Sequence, residues 1–256
     1  FIVYPFSFKE FFEIIQEKNQ EIKVKEAFQN YVKFGGMPFL HNLNYNYEAS
    51  MQYLQDLYAS IILKDITQRN NIRDTDLLER IINYIIINIG NTFSATSISK
   101  FFKSENRKVA TETILNYIKA CEEAFLVYRV ARNDLLGKKI LNVNEKYYIA
   151  DHGIREAIME NNQKNINQIL ENIVYFEMLR RGYNVKIGKV DNLEVDFVCT
   201  KNNETVYVQV SYLLASEDTK EREFSVLENI KDNYPKYVLS MDNLSEYNIN
   251  GILRKR

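Results

Sequence analysis

Apolar positions recur at helical spacing through the first part of the chain, and strand-like runs take over towards its end. Phe8, Phe11, Phe12 and Ile15 line one helical face behind Ser7, a side chain suited to capping a first turn. Ala27, Phe28, Tyr31 and Val32 form a second amphipathic face that stops at Gly35-Gly36 and Pro38. A longer helix is predicted over residues 47–70, with Leu54, Leu57, Tyr58, Ile61 and Ile62 as its apolar stripe. Leu77, Leu78, Ile81, Ile82, Ile85, Ile86 and Ile89 then cover nearly the whole circumference of one helix, which must be buried. Residues 96–102 and 109–122 read as two more helices, the second turning Ile114, Tyr117, Ile118 and Cys121 inward. Two β-like runs follow at 125–130 and 146–149, joined by a turn at Gly137. Three helices and then a hairpin is the order of a winged helix.

Beyond Asp151 the rhythm becomes α/β. A helix over residues 166–181 ends at Gly182, the usual place for a residue with positive φ. Strands are predicted at 183–187, 193–199 and 205–212, and a helix over 218–230 leads through Pro235 into a strand at 237–241. The predicted fold class is therefore α/β (mixed α+β). A helical segment spans 1–72, a winged-helix module 73–150, and a small mixed sheet with packed helices 151–256.

Composition narrows the function. Hydrophobic residues make up 46% and charged residues 26% of 256, which is the balance of a folded chain. A net charge of −1 excludes a uniformly basic nucleic-acid binder, so any such contact must come from a local patch. The longest apolar candidate for a membrane span, residues 81–89, is interrupted by Asn83, Tyr84 and Asn88 and falls short of the roughly 20 residues required. Cys121 and Cys199 lie far apart in sequence, as expected of a cytoplasmic protein without a disulfide framework. The chain opens at Phe1 without an initiator Met or a signal peptide, as expected of part of a longer protein. No G-x-x-x-x-G-K-[ST] loop and no G-x-G-x-x-G occurs, so no nucleotide cofactor is expected in this chain. His41 and His152 are too few and too isolated for a zinc cluster.

The informative chemistry lies in the last third. Glu171 shares a helical face with Val174, Tyr175 and Met178, an apolar face on which a carboxylate is unusual. Strand alternation puts Glu194 and Asp196 opposite Leu193, Val195 and Phe197, and Tyr207, Gln209 and Ser211 opposite Val206, Val208 and Val210. If these two strands pair, Asp196 and Gln209 meet beside Glu171. Two carboxylates and a third oxygen can hold Mg²⁺ next to a phosphodiester, where the metal activates water and neutralises the leaving oxygen. A Lys two residues after the third ligand would complete such a site, and Ser211 stands there instead. The alternative is the polar rim of a small sheet, or a site that has lost its chemistry.

Several ordered segments carry a resemblance. They are Tyr4-Pro5-Phe6-Ser7-Phe8-Lys9-Glu10-Phe11, Gly35-Gly36-Met37-Pro38 and Ile149-Ala150-Asp151-His152-Gly153-Ile154-Arg155, followed by Glu171-Asn172-Ile173-Val174-Tyr175 and Arg180-Arg181-Gly182-Tyr183. Glu194-Val195-Asp196-Phe197 and Tyr207-Val208-Gln209-Val210-Ser211-Tyr212 complete the series. In this order they resemble the C-terminal half of prokaryotic AAA-type ATPases that carry a C-terminal domain of unknown function, a domain related to the PD-(D/E)XK restriction-endonuclease-like fold. The resemblance implies that the Walker motifs and the ATP site lie upstream of Phe1. It carries the helix Glu onto Glu171, the strand Asp onto Asp196 and the (D/E)-x-K element onto Gln209-Val210-Ser211, which departs from the active pattern twice. Lys189 or Lys236 could replace the missing Lys from a neighbouring position.

The expectation is thus an accessory and regulatory region of an ATPase, with a nuclease-like domain that does not cut. Its winged helix would hold double-stranded DNA through Lys100, Lys103, Arg107 and Lys108, and through the face carrying Thr111, Glu112, Asn116 and Lys119. The first rival is a Mg²⁺-dependent DNA endonuclease using Glu171, Asp196 and Gln209, with Glu171 and Asp196 as metal ligands. The second is a protein-interaction module coupling the ATPase to a partner or to itself. The expected partners are DNA, the chain's own ATPase module and a second copy, and no membrane.

Overall fold

The computed structural model describes residues 2–135, 139–160, 162–242 and 247–255. The turn expected at Gly137 lies outside the described residues. The chain forms two compact units, one of Phe1–Arg129 with Tyr147–Asn165 and the other of Val130–Lys146 with Ile166–Arg256.

The first unit is built from helices. α1 (Phe8–Lys18) starts on a reciprocal capping box: the Ser7 N–H donates to Glu10 Oε2 at 2.7 Å, and the Glu10 N–H donates to Ser7 Oγ at 3.3 Å. α2 (Val24–Phe34) packs on α1 through a cluster of rings in which Phe8, Phe11 and Phe28 surround Tyr31. The helix predicted over 47–70 is α3 (Tyr47–Ser60), which runs on as a π-helix over Ile61–Gln68. Widening the coil puts one extra residue into the turn, and the apolar stripe shifts with it, so that Ile62 and Ile66 are buried while Leu63 faces solvent. α4 (Thr75–Ile87) buries Leu77, Leu78, Ile81, Ile82, Ile85 and Ile86, as its nearly continuous apolar pattern requires. α5 (Ala95–Ser104) and α6 (Thr111–Glu123) follow.

The segment Ile149-Ala150-Asp151-His152-Gly153 leads into α7 (His152–Met159), a helix the periodicity did not predict. Asp151 is completely enclosed, and its carboxylate accepts the Gly36 N–H and the Gly153 N–H, both at 2.7 Å. Three close approaches make glycine necessary here. A Cβ at Gly153 would stand 2.1 Å from the Phe34 carbonyl oxygen, and one at Gly36 2.3 Å from that of Phe6. Gly35 has φ +75°, and a Cβ there would stand 2.0 Å from Asp151 Oδ1. Around this junction Asn162 donates to the Val32 and His152 carbonyls, and the buried Arg155 guanidinium donates to Asn162 Oδ1 at 2.7 Å and to the Ile86 carbonyl at 3.2 Å. One polar network thus joins four separate stretches of the first unit.

The second unit is a mixed sheet with helices packed on it. β1 (Val127–Asp134) and β2 (Lys139–Ile149) are followed by β3 (Asn184–Val190), β4 (Leu193–Lys201), β5 (Glu204–Ser211), β6 (Lys236–Ser240), β7 (Asn248–Ile249) and β8 (Ile252–Lys255). The strand order is β2-β1-β3-β4-β5-β6-β8-β7. β1 runs parallel to β3, with Arg132 opposite Ile187, while β3, β4 and β5 form an antiparallel meander continued by parallel β6. α8 (Ile166–Arg180) lays Tyr175 against Phe197 of β4. α9 (Glu217–Glu228) puts Phe224 and Leu227 into a cluster with Val198, Tyr207, Val238 and Ile252. Cys121 and Cys199 are buried free thiols. Among the described residues no helix is long and apolar enough to cross a membrane.

The Asp151 junction generates the first prediction. Asp151→Ala leaves two enclosed N–H donors without an acceptor, at about 1–3 kcal/mol each. Urea denaturation should show a loss on the order of 3 kcal/mol, with a smaller loss for Asp151→Asn, which keeps one acceptor. An Asp151→Ala variant as stable as the parent would show that the junction does not hold these segments.

Candidate functional site

The residues expected to share a site lie on three neighbouring elements of the second unit. The antiparallel register of β4 and β5 sets Phe197 opposite Val208, so Asp196 and Gln209 are partners across the next rung. The Asp196 N–H donates to Gln209 Oε1 at 3.1 Å, and the Val210 N–H donates to Asp196 Oδ2 at 2.8 Å. The Gln209 side-chain amide donates to Glu223 Oε2 of α9 at 2.8 Å, and Glu223 Oε1 in turn accepts from the Arg222 guanidinium at 2.6 Å. Asp196, Gln209 and Glu223 are all buried.

A lysine joins Asp196 to Glu171, and it is neither of the two expected. Lys236 donates to the Asp232 carbonyl at 2.7 Å and pairs with its carboxylate at 3.1 Å, away from the carboxylates. For Lys189 no bond to the cluster is seen. The cation is Lys146, near the end of β2, with 3% of its side chain exposed. Its Nζ lies 2.8 Å from Glu194 Oε1, 3.1 Å from Glu171 Oε2 and 3.5 Å from Asp196 Oδ1. Arg132 of β1 adds a second positive charge at 3.7 Å from the other Glu194 oxygen. Ser211 Oγ donates instead to the Leu213 carbonyl. Lys146 and Glu194 are thus the site residues that sequence reasoning missed. One signal was present: Lys146 alternates with Tyr148, so a lysine shares the face of an apolar strand position.

The electrostatics follow from crowding three carboxylates around one ammonium. Burial pushes the Lys146 ammonium towards losing its proton, but Glu171, Asp196 and Glu194 outweigh burial and hold it charged, above its ordinary range. Burial and the Glu171 charge push the Asp196 carboxyl well above the usual carboxylate range, against the pull of Lys146 and the Val210 N–H. Asp196 is therefore the carboxyl of this cluster that resists losing its proton.

Mg²⁺ needs oxygen donors with free lone pairs converging at about 2.1 Å. Here the Gln209 oxygen is engaged by the Asp196 N–H, and the Lys146 ammonium occupies the point where Glu171, Glu194 and Asp196 converge. Among the described residues no group of three or more His, Cys, Asp or Glu has the geometry of a metal site. This arrangement does not fit the metal that the resemblance implies, and no chemical step is assigned to one.

The residues expected to meet DNA belong to the first unit. Lys100, Lys103 and Lys108 are exposed. Arg107 is held by two carboxylates, Asp74 at 2.8 Å and Asp76, and Lys119 pairs with Glu123 at 3.6 Å. The outer face of α6 carries Glu112 and Glu123 with Lys119, and is not basic.

Residues 25–165, more than half of the chain, match the family described as Domain of unknown function (DUF8612). The chain belongs to that family. It is 35% identical over 250 residues to an uncharacterized protein of Haemophilus influenzae, an alignment covering 98% of the chain and 61% of that relative. It is 29% identical over 255 residues to an uncharacterized protein of Methanocaldococcus jannaschii, with 95% of the chain and 55% of the relative covered. The chain therefore spans little more than half the length of these curated relatives. No solved structure matches it significantly. The match to this family of unknown function ends at residue 165, the last residue of the first unit. Glu171, Glu194 and Asp196 lie outside the match, whereas Lys146 lies within it.

Two outcomes are expected at this cluster. Lys146→Met removes the buried ammonium that pairs with buried Asp196 and with half-buried Glu171 and Glu194, which should cost about 3–5 kcal/mol in denaturant unfolding at neutral pH. Asp196 has a raised folded-state pKa, so its contribution to stability is complete below about pH 4 and is lost as pH rises through the raised value. Asp196→Asn removes that loss and should unfold at a higher temperature than the parent at pH 8, with the gain shrinking towards pH 4. A gain independent of pH would contradict a raised Asp196 pKa.

Proposed function

We propose that this chain is the accessory and regulatory region of a larger AAA-type ATPase, with a nuclease-like domain that does not cut and a winged helix that contacts DNA. The order α8, β3, β4, β5, α9, β6 supports a restriction-endonuclease-like core in the second unit. The order α4, α5, α6 and then the β1–β2 hairpin supports a winged helix. The relatives' greater length leaves room for an ATPase module in them. The observation that carries the reading is Lys146: an ammonium sits among the carboxylates that would otherwise hold a metal, and the third oxygen ligand is already engaged.

The endonuclease reading has one observation in its favour. Lys146 brings to the carboxylates the positive charge that Ser211 lacks, and a cation beside a scissile phosphate can stabilise its transition state. Plasmid nicking separates the two. Supercoiled DNA should remain intact with the purified protein in Mg²⁺ or Mn²⁺. Robust cleavage that disappears in both Lys146→Met and Asp196→Ala would make the domain an endonuclease instead.

DNA contact rests on Lys100, Lys103 and Lys108, since Arg107 is already tied to Asp74 and Asp76. Phosphate-directed binding should weaken steeply with salt, and replacing the three lysines by Ala should weaken it equally on unrelated sequences. Fluorescence anisotropy at low salt that shows no binding, or the same binding by the triple variant, would remove DNA from the reading and favour a protein-interaction module.

A further inference from the structure

The first unit contains an open pocket of about 560 Å³ that none of the chemistry above uses, formed by α1, α2 and the short 3₁₀ turn Pro38–Leu43, with Lys18, Asn19 and Asn44 exposed to solvent. That is the size of a pocket for a small organic molecule. Its floor is apolar, from Ile15, Phe34 and Tyr45. Its charged lining has one sign: Lys18 and Lys33 line it together with His41 and three asparagines, and no Asp or Glu lines it among the described residues. In a chain with more acidic than basic residues, a pocket holding two ammonium groups and no carboxylate is a local reversal of charge.

Both lysines are held in place by neutral groups. Lys18 Nζ donates to Asn44 Oδ1 at 2.7 Å and to the His41 carbonyl at 3.2 Å, which leaves its third N–H. Lys33 Nζ rests 4.0 Å above the centre of the Tyr47 ring, a contact that fixes an ammonium while leaving its hydrogen-bond donors free. Two of the three asparagines already use their side-chain oxygen. Asn44 Oδ1 is occupied by Lys18, and Asn19 Oδ1 accepts the Glu21 N–H at 3.2 Å, so both side-chain NH₂ groups remain. Burial pushes the Tyr45 hydroxyl up to about 12, so it stays neutral at physiological pH. His41 Nδ1 is buried without a hydrogen-bond partner, an unusual cost in a folded chain.

We infer that this cavity binds a small organic anion of the phosphate-monoester class, the phosphate meeting Lys18, Lys33 and the asparagine amides and the organic body resting on Ile15, Phe34 and Tyr45. Phosphate is favoured over carboxylate because the donors outnumber the acceptor oxygens of a single carboxylate, whereas a phosphate monoester offers three terminal oxygens to two ammonium groups.

The test uses the whole chain and titration calorimetry with phenyl phosphate, benzoate, inorganic phosphate and phenol. Saturable binding of phenyl phosphate at least tenfold tighter than each of the other three is expected. Lys18→Gln with Lys33→Gln should weaken it tenfold or more, whereas Lys25→Gln, on an exposed part of α2 that does not line the cavity, should leave it unchanged. Circular dichroism matching the parent confirms that the double variant is folded, and the single variant Lys33→Gln, which keeps the Lys18 contacts, provides a second reading. Phenol or benzoate binding as well as phenyl phosphate, equal weakening by Lys25→Gln, or no saturation by phenyl phosphate at millimolar concentration overturns the assignment.

Discussion

A lysine ammonium with almost no access to water sets the terms for the second unit. Desolvating that charge costs several kcal/mol, and only an arrangement of anions around it makes the folded state tolerable. Glu171 from α8 and Glu194 and Asp196 from β4 supply the anions that let Lys146 of β2 be buried as an ammonium. The β3–β4–β5 meander is fixed by its own hydrogen bonds, and the cluster adds an ionic contact between α8, β2 and β4. Burial still weighs on the anions, and Asp196, the most enclosed of them, is a carboxyl that resists ionisation.

The first unit solves a related problem. Asp151 is enclosed, and backbone N–H groups donate to both of its oxygens. Such an arrangement demands that backbone come close, which is why Gly35, Gly36 and Gly153 all stand within a side-chain radius of another segment. The Gly-Gly-Met-Pro stretch and the Asp-His-Gly segment, more than a hundred residues apart, are two halves of one junction.

What could be read from the sequence was local. The Ser7 cap, the end of α2 at Gly35 and the turn at Gly182, where φ is +82°, follow from side-chain chemistry within a few residues. The alternation of β4 and β5 likewise placed Asp196 beside Gln209, because a hairpin's register is largely set by its own turn. The extension of α3 into a π-helix, the existence of α7 and the small β7–β8 pair were not legible, since each depends on packing rather than periodicity. Lys146 was missed for the strongest reason. Its partners lie 25 to 50 residues further along the chain, and reaching them requires β1 to lie parallel beside β3, a long-range pairing that no short window contains. Lys189 of β3 and Lys236 of β6 are nearer in sequence to the carboxylate strands, whereas the lysine that reaches the carboxylates comes from the preceding hairpin.

The chain path gives this hairpin a second significance. The second unit is not a contiguous stretch: residues 130–146 reach it before the chain returns to complete the first unit at Asn165. A natural place to divide the protein, where the family match also ends, is between residues 165 and 166. A fragment cut there would keep Glu171, Glu194 and Asp196 but lose both Lys146 and Arg132. Such a fragment would carry these carboxylates without either of those two cations, so its ionisation behaviour would not be that of the intact chain.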